Sequence, residues 1–171
     1  MATQIRTLPV MSLQTGETVA QVRGPLLDSK NLELVALLCE VERAQRVLMV
    51  RDIRELAMDC VIVDNEEELA EPEDVIRVQT LLAEKFMLIG LPVVTEMNRR
   101  LGTVEDYTIN LQTFRLQKLY VRQSLLRSFL GSSLIIDRQQ IIDVTTRHVV
   151  VHEPAVTESV LSPKPAPNIP S

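Results

Sequence analysis

Two histidines are the residues of this 171-residue chain whose type and spacing come closest to a metal site. His148 and His152 lie four positions apart, a spacing that directs two imidazoles to one metal ion when both stand on a helix. The intervening Val149-Val150-Val151 favours a strand instead. Residues four apart on a strand share a face, but a metal ion would still need a third ligand. We therefore expect no metal.

A pair of aspartates, Asp137 and Asp143, could perform acid and base chemistry if a pocket separated their pKa values. The sequence indicates no such pocket, and we expect both side chains to bond backbone N–H groups at turns. Gly-rich phosphate loops, Gly-x-Ser-x-Gly elbows and Cys-x-x-Cys pairs are absent from the sequence. Cys39 and Cys60 lie in apolar runs and should be buried thiols. The chain is thus predicted to lack catalytic residues, cofactors and a small-molecule substrate.

The elements that would position any functional residue occur twice. Leu8-Pro9-Val10 aligns with Leu91-Pro92-Val93, and a constant offset then relates residues 32–39 to residues 114–121. A second offset relates residues 53–63 to residues 141–151. The first copy has helical spacing from Leu34 to Leu48, whereas the second alternates like a strand. Because copies of a repeat share one fold, we predict strands in both.

Each copy resembles a PRC-barrel domain, the small β-barrel of the photosynthetic reaction-centre H subunit and of a ribosome maturation factor. The resemblance rests on the Leu-Pro-Val strand, on Leu-Gly-Thr-Val-Glu-Asp at 101–106 and on Ile-Ile-Asp-Arg-Gln-Gln-Ile-Ile-Asp-Val at 135–144. It is good over 91–151 and looser over 8–63, where Ala20 replaces the glycine. Leu-Tyr-Val-Arg-Gln-Ser-Leu-Leu at 119–126 is most similar to the two-domain PRC-barrel proteins of cyanobacteria.

The predicted fold is mainly β: two small PRC-type β-barrels in tandem, joined by a short α-helix and followed by a disordered, Pro-rich C-terminal tail. The predicted boundaries are 1–64 for the first copy, 65–90 for an acidic linker and connector helix, 91–152 for the second copy and 153–171 for the tail. The helix is predicted over Pro72–Lys85, with an apolar stripe that must pack against a barrel. Barrels of this size are marginal alone, so packing of the copies on one another, or pairing of two chains, should stabilise them.

Charge is distributed unevenly along the chain, whose formal net charge is −5. Residues 64–74 hold seven acids and no base, whereas residues 91–151 hold eight Lys or Arg against five acids. A solvated linker is the simplest interpretation of the acidic run, with contact to the basic copy or a partner as alternatives. The basic residues that could bind RNA are Arg99, Arg100, Arg115, Lys118, Arg122 and Arg127. The pI near 5.1 and the scarcity of aromatic residues argue against strong RNA binding.

The PRC-barrel resemblance implies association, because in this family the barrel docks onto a membrane complex, an assembling ribosomal particle or a division machine. We therefore expect a non-enzymatic adaptor or assembly protein that binds other proteins, with a photosynthetic membrane complex as one candidate partner. A ribosome- or RNA-associated maturation factor is the alternative. The residues before Leu8 do not resemble a signal peptide and no apolar run reaches the length of a membrane span, so the expected location is cytoplasmic or peripheral to a membrane.

The predicted partner-binding residues lie where the copies differ in length. Eight residues, 40–47, separate Cys39 from Leu48, whereas fourteen, 122–135, separate their counterparts. In the longer segment, three apolar residues can cluster on one side of a helical turn with two arginines at the rim. These residues are Leu125, Leu126 and Phe129 with Arg122 and Arg127. They would either plug their own barrel or cover the connector helix, or form an exposed patch that binds a protein or a membrane surface.

Overall fold

A computed structural model describes residues 7–57, 59–123 and 133–153, which form two β-sheets and one α-helix. The strands of the first sheet are β1 Pro9–Ser12, β2 Thr18–Asp28, β3 Glu33–Val41, β4 Ala44–Met49, β5 Glu55–Leu56, β6 Val61–Val63 and β7 Leu69–Ala70. Helix α1 spans Ile76–Glu84. The strands of the second sheet are β8 Pro92–Thr95, β9 Arg100–Ile109, β10 Leu116–Arg122, β11 Ser133–Asp137, β12 Ile141–Val144 and β13 Val149–Val151. The predicted mainly β class with a short helix is confirmed, while the predicted tail beyond residue 153 lies outside the described residues.

The two sheets repeat one strand order. The first runs β5-β6-β1-β2-β3-β4-β7, and the second runs β12-β13-β8-β9-β10-β11. In each sheet the first and last strands of the repeat are parallel neighbours, β1 with β6 and β8 with β13. The registers also correspond, since Leu37 lies opposite Pro25 and Leu119 lies opposite Tyr107. The chain is thus built from two equivalent halves, residues 7–70 and 91–153, with α1 between them.

The second sheet is strongly curled. Only residues 138–140 separate β11 from β12, so these strands can lie at most about 14 Å apart at that point. A flat sheet with this strand order would place them about 24 Å apart. The sheet must therefore curve until its edges approach each other. The strands nevertheless do not pair across the gap, and no closed barrel is found among the described residues.

The inner faces of the two sheets enclose one hydrophobic core. This core contains Val10, Val22, Leu37 and Leu48 from the first half and Val93, Val104, Leu119 and Ile136 from the second. The expected packing of the two halves on one another is therefore present. A second cluster lies on the outer face of the first sheet, where Val78 and Leu81 of α1 pack with residues that include Ala36 and Val47.

The halves meet through equivalent residues. The backbone N–H of Leu34 donates to Phe114 O at 2.7 Å, and the N–H of Leu116 donates to Leu32 O at 2.9 Å. Because Leu32 corresponds to Phe114 and Leu34 to Leu116, the two bonds are related by a local two-fold axis. Such reciprocal contacts are the pattern of a symmetric dimer, here formed within one chain.

Two matching turns lie at this junction between the halves. Leu32 and Phe114 both have a positive φ, 58° and 55°, which is uncommon for a side chain other than glycine. Each lies four residues after an Asx residue, and the Leu32 and Phe114 N–H groups donate to Asp28 O and Asn110 O at 2.9 and 2.7 Å. The Asp28 and Asn110 side chains accept from the backbone two residues further on. The same turn chemistry therefore shapes both halves.

The connector helix is shorter than predicted. Pro72 lies in a separate 3₁₀ helix, Pro72–Asp74. The extended residue Val75 separates this helix from α1. Helix α1 ends at Glu84, where Lys85 adopts a left-handed conformation with φ 50°. The predicted apolar stripe of the helix does face the first sheet. The two residues of α1 that are buried against that sheet are Val78 and Leu81.

The acidic run is ordered rather than a simple solvated linker. Leu69 and Ala70 within it form β7 and pair with β4. Carboxylates of the run form ion pairs with the first half, between Asp64 and Arg54 at 2.9 Å and between Glu71 and Arg46 at 3.3 Å. Most of its acidic side chains are exposed, as predicted, but its backbone is fixed to the first half. A two-residue strand without periodicity gives no sequence signal.

Candidate partner-binding surface

The two histidines do not come together. His148 precedes β13, and its Nδ1 lies 3.5 Å from Thr145 Oγ1. His152 follows β13, and its Nδ1 lies 3.6 Å from Glu96 Oε2. The described residues contain no group of three or more His, Cys, Asp or Glu side chains arranged to hold a metal ion. The geometry thus gives no support to a metal site at these histidines.

The aspartates and cysteines have separate environments. Asp137 precedes the 3₁₀ helix Arg138–Gln140, and its N–H donates to Gln140 Oε1 at 2.9 Å, so the predicted turn position is confirmed. Asp143 lies exposed within β12, so its predicted turn position is wrong.

Burial raises the pKa of the Cys39 thiol to about 12, which keeps it neutral at physiological pH. Cys60 is half-buried rather than buried as predicted, and this partial burial, with the nearby Asp59 charge as a secondary cause, also raises the pKa of its thiol.

A polar cleft of about 410 Å³ lies beside the start of β10 and the end of β11. Its charged lining residues are Arg115, Asp137 and Arg138. Arg115 is engaged by Glu33 at 2.6 Å, and Arg138 Nη1 lies 3.4 Å from Ile141 O. Because both guanidinium groups have protein partners, the cleft does not present two free cations to an anionic ligand.

Three of the five candidate RNA-binding cations that the structure describes form ion pairs within the protein. The ion pairs join Arg99 to Glu153, Arg115 to Glu33 and Lys118 to Asp137. Of the aromatic residues of the second half that the structure describes, Tyr107 is buried and Phe114 packs against the core, whereas Tyr120 lies half-buried on the outer face. Binding to single-stranded nucleic acid uses exposed aromatic platforms, so this arrangement gives the RNA-binding alternative little support.

Of the predicted partner-binding residues, the structure describes Arg122. It is the last residue of β10 and is exposed. Leu125, Leu126, Arg127 and Phe129 lie outside the described residues. The prediction that they form an exposed patch therefore stays a prediction.

The outer faces of the two halves differ at equivalent positions. In the first half, Leu38 and Val47 lie opposite each other on β3 and β4, and α1 covers them. In the second half, the same positions on β10 and β11 are Tyr120 and Ile135. Val47 is 0% exposed, whereas Ile135 is 52% exposed. Leu38 and Tyr120 are both half-buried, so the difference between the two pairs lies in Ile135, which is exposed where Val47 is buried.

Cations border this apolar pair. Lys118 and Arg122 lie two residues before and after Tyr120, and their side chains share its outward face. The corresponding residues of the first half are Ala36 and Glu40. Ala36 is fully buried under α1, and Glu40 pairs with Arg23 at 2.8 Å. We call Lys118, Tyr120, Arg122 and Ile135 the open face.

The outer edges of the equivalent strands β4 and β11 also differ in their pairing. In the first half, β7 pairs with the outer edge of β4, with Ala70 opposite Val47 and Leu69 opposite Leu48. The equivalent strand, β11, has no strand on its outer edge among the described residues. Sequence reasoning missed Ile135 because Leu134 and Ile136 beside it are also apolar, which hides the alternation of inward and outward residues.

The described residues form a mainly β fold of two sheets with equivalent strand order, and among them α1 covers the outer face of the first sheet while no helix covers that of the second. No protein-family model matches the sequence, and no curated protein matches it. The PRC-barrel resemblance therefore rests on sequence motifs such as Leu-Gly-Thr-Val-Glu-Asp at 101–106. Within the described ranges, no helix has the length and apolar character needed to cross a membrane.

Proposed function

We propose that the chain is a non-enzymatic adaptor that binds other proteins through the open face of its second half. The observation that supports this proposal is the exposure of Ile135 beside Tyr120, at positions that the first half covers with its own helix. An apolar and aromatic centre with cations at its rim is typical of a protein interface. Tyr and Arg are also the residue types enriched among those that contribute most to binding.

The assignment to tandem PRC-type barrels is part of the proposal. Its support is the repeated strand order, the curling of the second sheet and the Leu-Gly-Thr-Val-Glu-Asp motif at 101–106, which lies in β9. Under this assignment, the expected partner is a membrane-associated complex of the photosynthetic type, reached by an adaptor that stays in the cytoplasm or at the membrane periphery. The basic rim of the open face suits an acidic protein surface.

Affinity purification from native cells, with membranes solubilised gently, tests the proposal. Arg122→Glu reverses a rim charge and should reduce recovery of the partner about tenfold, equivalent to about 1.4 kcal/mol. Arg147→Glu is the matched control, because Arg147 is exposed in the turn between β12 and β13 and undergoes the same change of charge. Both variants should melt at the wild-type temperature.

Equal recovery with Arg122→Glu and Arg147→Glu would contradict the use of the open face. Recovery of ribosomal particles in place of a protein complex would favour the maturation-factor alternative. Leu126→Glu and Phe129→Ser test the part of the predicted site outside the described residues. Loss of partner with unchanged melting would add them to the site, whereas a loss of about 2 kcal/mol of stability would assign them to the core.

A further inference from the structure

We propose that two molecules of this protein associate through β11, with the two strands antiparallel about a two-fold axis at Ile135. The first observation is the unpaired outer edge of β11 among the described residues. An edge strand is a template for pairing unless proline, lysine or a bulge protects it. The strand Ser133-Leu134-Ile135-Ile136-Asp137 contains neither proline nor lysine, and Ile135 is exposed at its centre.

The first half shows that this edge accepts a strand. Strand β7 adds to β4 in the antiparallel direction, opposite Val47 and Leu48. These two residues correspond to Ile135 and Ile136 of β11. Because the two sheets share strand order and register, the same antiparallel addition fits the backbone of the second half. The fold itself therefore provides the geometric precedent.

The side chains of β11 are complementary to a second copy of themselves. Antiparallel pairing about Ile135 places it opposite Ile135 of the second molecule, and places Ser133 opposite Asp137 of the second molecule. Within one molecule, Arg122 lies beside Ser133 in the register of β10 and β11. The small Ser133 side chain leaves Arg122 able to reach Asp137 of the second molecule. Apolar groups thus meet at the centre and opposite charges meet at both ends.

This pairing would join the second sheets of two molecules into one continuous sheet. Tyr120 lies beside Ile135, so the open faces of both molecules would form a single surface with a Tyr-Ile-Ile-Tyr row at its centre. The inference goes beyond the adaptor proposal because it concerns a second copy of this chain. Purified protein is sufficient to test it, so its failure can be distinguished from failure of partner recovery.

Sedimentation of the purified full-length chain over a range of concentrations is the first experiment. The wild type should rise from 19.3 kDa towards twice that mass as its concentration increases. Ile135→Glu should stay at 19.3 kDa, because it places two carboxylates against each other at the axis. Ile142→Glu is the control, since Ile142 is 45% exposed on β12, the other edge strand of the same sheet. It should associate like the wild type.

A disulfide test fixes the register. In a Cys60→Ser background, Ile135→Cys should give an interchain disulfide, because directly opposite residues have Cβ atoms about 5 Å apart. Ser133→Cys should not, because the two Ser133 positions would lie roughly 14 Å apart along the strands. A dimer that is cross-linked in the Ser133→Cys variant and not in the Ile135→Cys variant would overturn the proposed axis.

A wild-type chain that remains at 19.3 kDa at its highest soluble concentration also overturns the proposal. Deletion of residues 155–171 then identifies the alternative. If the deleted chain dimerises while the full chain does not, the C-terminal segment and not a second molecule occupies the edge. Unchanged association of Ile135→Glu would place the dimer contact elsewhere.

Discussion

The two halves agree on their inner faces and differ on their outer faces. Leu37 and Leu48 of the first half correspond to Leu119 and Ile136 of the second, and all four are buried in the shared core. On the outer face, by contrast, the fully buried Val47 corresponds to the exposed Ile135. The comparison teaches that apolar residues recur at the inward positions of both halves, whereas the outward positions differ in burial. One outer face packs against the connector helix, and the other leaves Ile135 exposed.

Gly102→Ala should have the largest effect among the changes that test this equivalence. A Cβ at Gly102 would overlap the Arg122 carbonyl oxygen and lie 2.9 Å from Val121 Cγ1. Ala20, at the corresponding position, already carries a Cβ in the first half. We expect Gly102→Ala to lower the free energy of unfolding by about 3 kcal/mol, measured by denaturant titration. Ala20→Gly, the reverse change, should cost about 1 kcal/mol. Equal losses would show that the two sites are equally packed.

Truncation of the outer faces should give the next largest difference. Val47→Ala removes a side chain covered by α1 and β7 and should cost about 2 kcal/mol. Ile135→Ala removes an exposed side chain and should cost about 0.5 kcal/mol in dilute solution. Thermal melting at low protein concentration measures both. A loss at Ile135 as large as that at Val47 would mean that the open face is covered.

Much of this comparison could be predicted from the sequence. The alignment of residues 32–39 with 114–121 anticipated the shared register, because apolar residues recur at inward positions of both halves. The PRC-barrel resemblance predicts two barrels, but no closed barrel is found among the described residues, because strand closure depends on backbone pairing that side-chain patterns do not encode. Strand β7 was missed for the same reason, since its two residues pair with β4 only in the tertiary fold.

The site was predicted less well than the fold. The sequence directed attention to the longer segment after Arg122, most of which lies outside the described residues. It did not reveal Ile135, because three consecutive apolar residues conceal which one points outward. The left-handed Leu32 and Phe114 were also missed, although the Asx residues Asp28 and Asn110 four positions earlier gave a usable turn signal.

The local two-fold axis gives a smaller prediction. Glu33 and Arg115 occupy equivalent positions and pair across the axis at 2.6 Å, with side chains 25% and 68% exposed. Arg115→Glu should cost about 1 kcal/mol, because it places two carboxylates together in a partly solvated site. Exchange of the charges in Glu33→Arg with Arg115→Glu should restore most of the loss, measured as a double-mutant cycle. Additive losses would show that the pair contributes nothing to the junction.

Deletion of residues 155–171 should have the smallest effect. The sequence of this segment holds four prolines and no apolar period, so its removal should change the free energy of unfolding by about 0.5 kcal/mol or less. Differential scanning calorimetry measures this change. A drop of several degrees in melting temperature would mean that the segment packs on the protein and would reduce the difference between the halves.

Amide hydrogen exchange tests the central difference between the halves most directly, because it reports on β4 and β11 in the same sample. In dilute protein, the amides of β11 that face away from β10 should exchange at least about tenfold faster than the corresponding amides of β4, which β7 and α1 cover. Raising the protein concentration should slow exchange in β11 alone. Equal, slow exchange of both strands in dilute solution would contradict an open second half.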